Sequence, residues 1–170
     1  MEAEYREGLH VATAPNHRIT AWSEQLTQAH DTLRRHLQLL QENLDDPNAA
    51  EPGLITHCLA FCSALTTHHV GEDDGMFVDL LRARPDLEPT IANLVQDHRM
   101  IATILTSVRD LVTEAGGATT ERRKTIAREF DGLAAIVESH FSYEERAISA
   151  ALDSGVSDTG WSKAVLHLKP

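Results

Sequence analysis

At 170 residues the chain is about one domain long, enough to bury a core, and 42% of it is hydrophobic. Fifteen Lys and Arg stand against 26 Asp and Glu, a formal charge of −11 that offers no basic footprint for a phosphate backbone and excludes nucleic acid as the expected partner. No apolar run approaches the roughly 18 residues of a membrane span, and the opening MEAEYREGLH has neither a basic start nor an apolar stretch, so neither a membrane partner nor a secretory signal is expected. Cys58 and Cys62 are the only cysteines, which points to reduced thiols in the cytoplasm. Ten histidines are the unusual count.

Residues 1–16 have no clear period and form an N-terminal extension. After them, Pro and Gly punctuate the chain near Asn43–Pro47, Ala83–Asp86, Ala115–Gly117 and Asp153–Gly155. The first helical segment places Leu26, His30, Leu33, Leu37, Leu40 and Leu44 at alternating steps of four and three. Leu54, Cys58, Phe61, Leu65, His68 and Glu72 repeat that spacing in the second, with Pro52 in its first turn. The third runs Ile91, Leu94, His98, Ile101, Leu105, Val108, Val112. The fourth runs Ile126, Phe130, Leu133, Val137, His140, Glu144, Ala147, Ala151, after Thr119 and Thr120 as cap candidates. Stripes of this period face a bundle axis, and short connections join neighbours. The predicted fold is all-α, an up-down-up-down four-helix bundle over residues 17–152. In residues 153–170, Ser157-Asp158 is a cap candidate before Trp161, Val165 and Leu168, which predicts a short helix packing its Trp on the bundle.

Six positions on these stripes are not apolar: His30, His68, Glu72, His98, His140 and Glu144. Counted from the nearest breaks they fall within a few residues of one height, a matter of ångströms at ~1.5 Å per residue. Burying unpaired carboxylates is costly enough that they shift their pKa or find a cation. His68 with Glu72 and His140 with Glu144 are i, i+4 pairs, each projecting from one helix face. A carboxylate with two oxygens can bridge two metals, and four imidazoles then complete two sites. Mixed imidazole and carboxylate ligation suits iron, with manganese or zinc as the alternatives, better than magnesium or calcium. Six protein ligands shared by two metals leave positions for water or small molecules, the mark of a reactive site.

These residues resemble the hemerythrin-like, or HHE cation-binding, family. The order His, His-x-x-x-Glu, His, His-x-x-x-Glu reads here as His30, then His68-His69-Val70-Gly71-Glu72, then His98, then His140-Phe141-Ser142-Tyr143-Glu144. The resemblance implies a four-helix bundle with two non-haem iron ions bridged by the two Glu and an oxo or hydroxo group. In the oxygen-carrying members the third helix supplies a second His four residues on, where this chain has Ala102. Their fourth helix carries an Asp five residues after its His, where Glu145 stands here. One imidazole fewer implies an open position on one iron, favouring turnover of O2, hydrogen peroxide or nitric oxide over reversible carriage, and hence a di-iron oxidoreductase. Met76-Phe77-Val78 replaces the family's Leu-Phe-Pro. The ferritin-like carboxylate bundles need a Glu-x-x-His on two core helices, and only Glu7-Gly8-Leu9-His10 fits, outside the bundle.

Other residues are read more plainly. His69 should point about 100° away from His68, as a boundary or supporting residue. His57, eleven residues before His68, reads as a core or channel histidine; His10, His17, His36 and His167 read as surface. Tyr143, the one catalytic candidate, is placed to donate a hydrogen bond into the layer. Asp73 and Asp74 are hydrogen-bond partners for ligating imidazoles, Glu138 and Glu145 are solvated, and Cys58 is core. Two further functions share the bundle: a di-iron oxygenase or oxidase acting on a small organic substrate, and a binding protein that senses iron or oxygen.

Overall fold

The computed structural model describes residues 20–45, 51–115 and 119–168. The sequence expectations on His10, His17 and the extension lie outside them. Helix α1 is Trp22–Asp45 and α2 is Glu51–Gly71. A π-helical turn, Glu72–Met76, carries α2 into α3, Phe77–Ala83. A 3-10 turn, Pro85–Leu87, leads to α4, Glu88–Ala115; α5 is Thr120–Leu152 and α6 is Ser162–Val165. The unit α2–π–α3 is one rod, so the bundle has four members. Each packs on two neighbours, α1 on α2 and α5, and α4 on α2 and α5, which is the expected up-down-up-down square.

The helices end where local chemistry dictates. Thr119 caps α5, its hydroxyl accepting from Arg122 N at 3.3 Å. Pro85 opens the 3-10 turn, where a missing N–H costs nothing. After α5 the chain turns through Gly155 (φ 103°) and Gly160 (φ 118°), left-handed conformations that favour glycine. The Asp158 carboxylate then accepts from Gly160 N, Ser162 N and Ser162 Oγ, capping α6 as the sequence suggests. Trp161 is buried against the bundle, its ring 5.2 Å from that of Trp22.

The apolar core comes in two parts. Leu33, Leu37, Phe61, Leu65, Ile101, Phe130, Val137 and Phe141 belong to one; Leu26, Met76, Phe77, Leu80, Leu94, Ile148 and Leu152 belong to the other. Helices α1, α4 and α5 contribute to both, the rod contributes α2 to the first and its π turn and α3 to the second, and between the two parts the seams carry His and Glu instead of aliphatic side chains.

Candidate metal centre

All six of the stripe-breaking residues are buried, and Glu72, Glu144, His30 and His68 are wholly so. They meet at one level because each replaces the next member of a 3-4 stripe at the same height. Nε2 of His30 and Nε2 of His68 lie 3.0 Å apart. Glu72 Oε1 is 3.0 Å from His68 Nε2, and its other oxygen, Oε2, is 3.5 Å from His98 Nε2. Glu144 Oε2 is 3.5 Å from His30 Nε2 and 3.7 Å from His140 Nε2. Both carboxylates therefore stand between a His30/His68 pair and a His98/His140 pair.

The outward nitrogens settle the tautomers. His30 Nδ1 donates to Glu145 Oε1 at 2.8 Å, His98 Nδ1 to Asp73 Oδ1 at 2.7 Å, and His68 Nδ1 to the Val165 carbonyl at 2.9 Å. An acceptor on Nδ1 requires its proton there, which leaves Nε2 of each ring a lone pair aimed inward. Burial, with repulsion from His68 next, holds His30 well below the usual imidazole range, and burial lowers His68 too, so neither ring gains a second proton readily. Two lone pairs thus face each other at 3.0 Å, beside carboxylate oxygens. Nε2 of His98 and His69, both nitrogens of His140 and all four oxygens of Glu72 and Glu144 have no hydrogen-bond partner. With the two carboxylates ionised, their oxygens and the inward Nε2 lone pairs of His30, His68 and His98 far outnumber the donors, and a cation is what such a cage can bind.

Burial pushes Glu72 up to about 8 and Glu144 well above the carboxylate range; repulsion between the two adds to the rise in Glu144. His140 is lowered by burial to about 3. These shifts measure how poorly the polypeptide alone satisfies the charged forms.

His69 departs from its expected place. It is 6% exposed, its ring stacks on His98 with centroids 3.9 Å apart, and it lies edge-on to His140 at 5.2 Å. The donor atoms gather in two groups, His69 with His98 and His140, and His30 with His68, Glu72 and Glu144, each within 4.8 Å. His69 thus comes from α2 to the side of His98, and Ala102 lines the same small crevice of about 140 Å³ as both rings. A signal for it exists in the sequence. Cys62 lies one heptad before His69, one residue off the main seam, and is buried, so α2 carries a second buried stripe turned towards α4.

With donors of this kind in place, the comparison with known families decides the class. The model of the hemerythrin HHE cation-binding domain matches residues 23–155, well over half of the chain. The chain belongs to the hemerythrin HHE family. No curated protein and no solved structure matches it. The hemerythrin signature residues are those that the bundle brings together, in a His/Glu cluster consistent with a di-iron site.

Other expectations fare unevenly. Asp73 does bond a ring of the layer, but Asp74 is exposed. Glu145 is not free in solvent: with 21% of its side chain exposed, it accepts from both His30 and Arg34. Arg34 also bonds Glu138, which stays half exposed, and lies over the Phe141 ring that stacks on His30. Tyr143 is 37% exposed, one residue before the buried Glu144. His57 is exposed rather than core. The seam repeats every 3.5 residues, and on that count His57 falls on its flank beside Cys58, where it and His36 border a surface crevice. Cys58 is core, as expected.

Proposed function

We propose that seven side chains of this hemerythrin-family domain hold two iron ions. His69, His98 and His140 hold one, His30 and His68 hold the other, and Glu72 and Glu144 bridge them. The observation that carries this reading is Glu72, whose two oxygens face imidazoles of different groups, Oε1 that of His68 and Oε2 that of His98. Borderline nitrogen and hard oxygen donors in this ratio suit iron, manganese or zinc. A pair of irons supplies one- and two-electron chemistry towards small oxidants. The His30/His68 side has one protein donor fewer, so the open position belongs there and not beside His98.

The domain then serves reaction with O2, hydrogen peroxide or nitric oxide. His30, His68, Glu72 and Glu144 are wholly buried, which supports a small reactant over an organic substrate. Beside that open side a carboxylate orients the His30 ring and raises its basicity as a donor. Glu145, partly exposed, receives the His30 Nδ1 proton bond and is held by Arg34. Purified protein should disproportionate peroxide to water and O2 without any organic co-substrate, or reduce nitric oxide when an electron donor is supplied, and Glu145→Gln should slow that removal about tenfold or more while retaining iron. Removal that needs an organic substrate, or reversible O2 binding with no turnover, would contradict the reading.

A further inference from the structure

The three well-formed imidazole hydrogen bonds of the layer are not alike. His30 and His98 donate to carboxylates on or joined to bundle helices, Glu145 and Asp73. His68 donates to a neutral main-chain carbonyl, that of Val165, 97 residues away in the C-terminal segment. That contact requires the segment to lie unusually close to α2. A Cβ on Gly71 would come within 2.9 Å of Ala164 Cβ and 3.0 Å of Val165 Cγ2, and one on Gly75 would come within 2.6 Å of Trp161 Cβ. Two glycines, about one turn apart, make the seat. Elsewhere the segment is tied down by Thr159, whose hydroxyl donates to the buried Asp79 at 2.6 Å, and by Trp161 against Trp22.

We propose that the Val165 carbonyl is a positioning group of the metal centre, so that the C-terminal segment is a working part of the His30/His68 half of the site. It fixes His68 as the Nδ1–H tautomer, turns Nε2 towards His30 and Glu72, and stops the ring rotating about its Cβ–Cγ bond. A neutral carbonyl draws less on the ring proton than a carboxylate does, so His68 is a weaker donor than His30 or His98. The iron held through His68 is accordingly the more easily lost of the two. This rests on the ligand role of His68 proposed above, and the experiment separates the two ideas.

Replacing Leu166 by its α-hydroxy acid makes Val165–Leu166 an ester, whose carbonyl is a poor acceptor; it also removes the Leu166 N–H that bonds Ser162 O. The same replacement at Val165 removes a comparable helical N–H, bonded to Trp161 O, and leaves the Val165 carbonyl an amide, so it serves as the control. In full-length metal-free protein, nitrogen-15 NMR should show His68 as the Nδ1–H tautomer, with that proton less shielded in the wild type and the control than in the 166 ester. After loading with iron-57, the Mössbauer signal of one iron should move in the 166 ester alone, and that iron should pass to a chelator about tenfold faster or more. Gly71→Ala should reproduce the selective loss by pressing on Ala164 and Val165, while Gly132→Ala, whose Cβ meets nothing within 4 Å, should not. Equal effects of the two esters, no change at His68, or equal loss of both irons would overturn the proposal. A His68 response in protein that takes up no iron would sustain the contact and overturn the ligand reading instead.

Discussion

The centre is built on single atoms whose protons are committed elsewhere. Each Nδ1 bonded outward leaves an Nε2 lone pair inside, and the two Glu add four oxygens that have no hydrogen-bond partner. Removing a carboxylate that serves both halves should cost both metals: Glu72→Ala should lose most of its iron by mass spectrometry, and full loading of that variant would rule out bridging. His69→Ala should weaken the His98/His140 half by on the order of a hundredfold in chelator competition. Adding Ala102→His to it should restore binding, because both positions line one crevice. Unchanged binding in the single variant would return His69 to a packing role.

Protonation follows from the same burial. In the metal-free protein His30, His68, His69 and His140 are all lowered below 6.5, so the unfolded chain binds more protons as pH falls below that value and stability is lost towards acid. Glu72 and Glu144 are raised above 4.5, so the folded protein binds more protons there, and stability is lost as pH rises through about 8. Above 6.5 only the carboxylate effect remains. Metal-free protein should therefore lose melting temperature between pH 6.5 and 8, whereas metal, which requires ionised Glu, should abolish that loss and release protons on binding. Calorimetry in two buffers of different ionisation enthalpy measures the release. Metal binding without proton release would contradict the burial argument.

Among the elements, the π-helical turn Glu72–Met76 has the largest consequence. Its extra residue lets Glu72 face the layer, Asp73 reach His98, and Met76 and Phe77 both point into the core. Phe77 then lies parallel to the His98 ring at 5.6 Å. Deleting Asp74 should restore a plain α-helix and rotate Phe77 and Leu80 off the core. A fall in melting temperature on the order of 10 °C or more is expected, and no fall would show that the turn is tolerated rather than required. Helix positions were legible in the sequence because each seam keeps one period through Leu, Ile and Val. The π turn was not, since Glu72 continues the second stripe at its regular step and nothing in Asp73-Asp74-Gly75 marks an extra residue. His69 was hidden for a related reason: a 3-4 stripe describes one buried face, and α2 has two. His57 was misplaced by a small angle, one residue off a seam whose 3.5-residue drift decides what is buried.

Over the whole molecule, two apolar clusters close off a single polar layer from either side. That arrangement explains why His30, His68, Glu72, His98, His140 and Glu144 stood out in the sequence as candidate ligands: a polar residue at a core step is rare, and six at one height are not accidental. What supports the layer was less legible, because Glu145, Arg34 and the Val165 carbonyl reach it from outside any stripe. Among the described residues no helix is long and apolar enough to cross a membrane.

The most direct test of the di-iron assignment is metal content by mass spectrometry on the purified protein, with the optical spectrum recorded before and after azide. The two donor groups predict about two irons per chain and near-ultraviolet bands that azide shifts through the open His30/His68 side. No bound metal, or one tightly held zinc with a spectrum indifferent to azide, would contradict it.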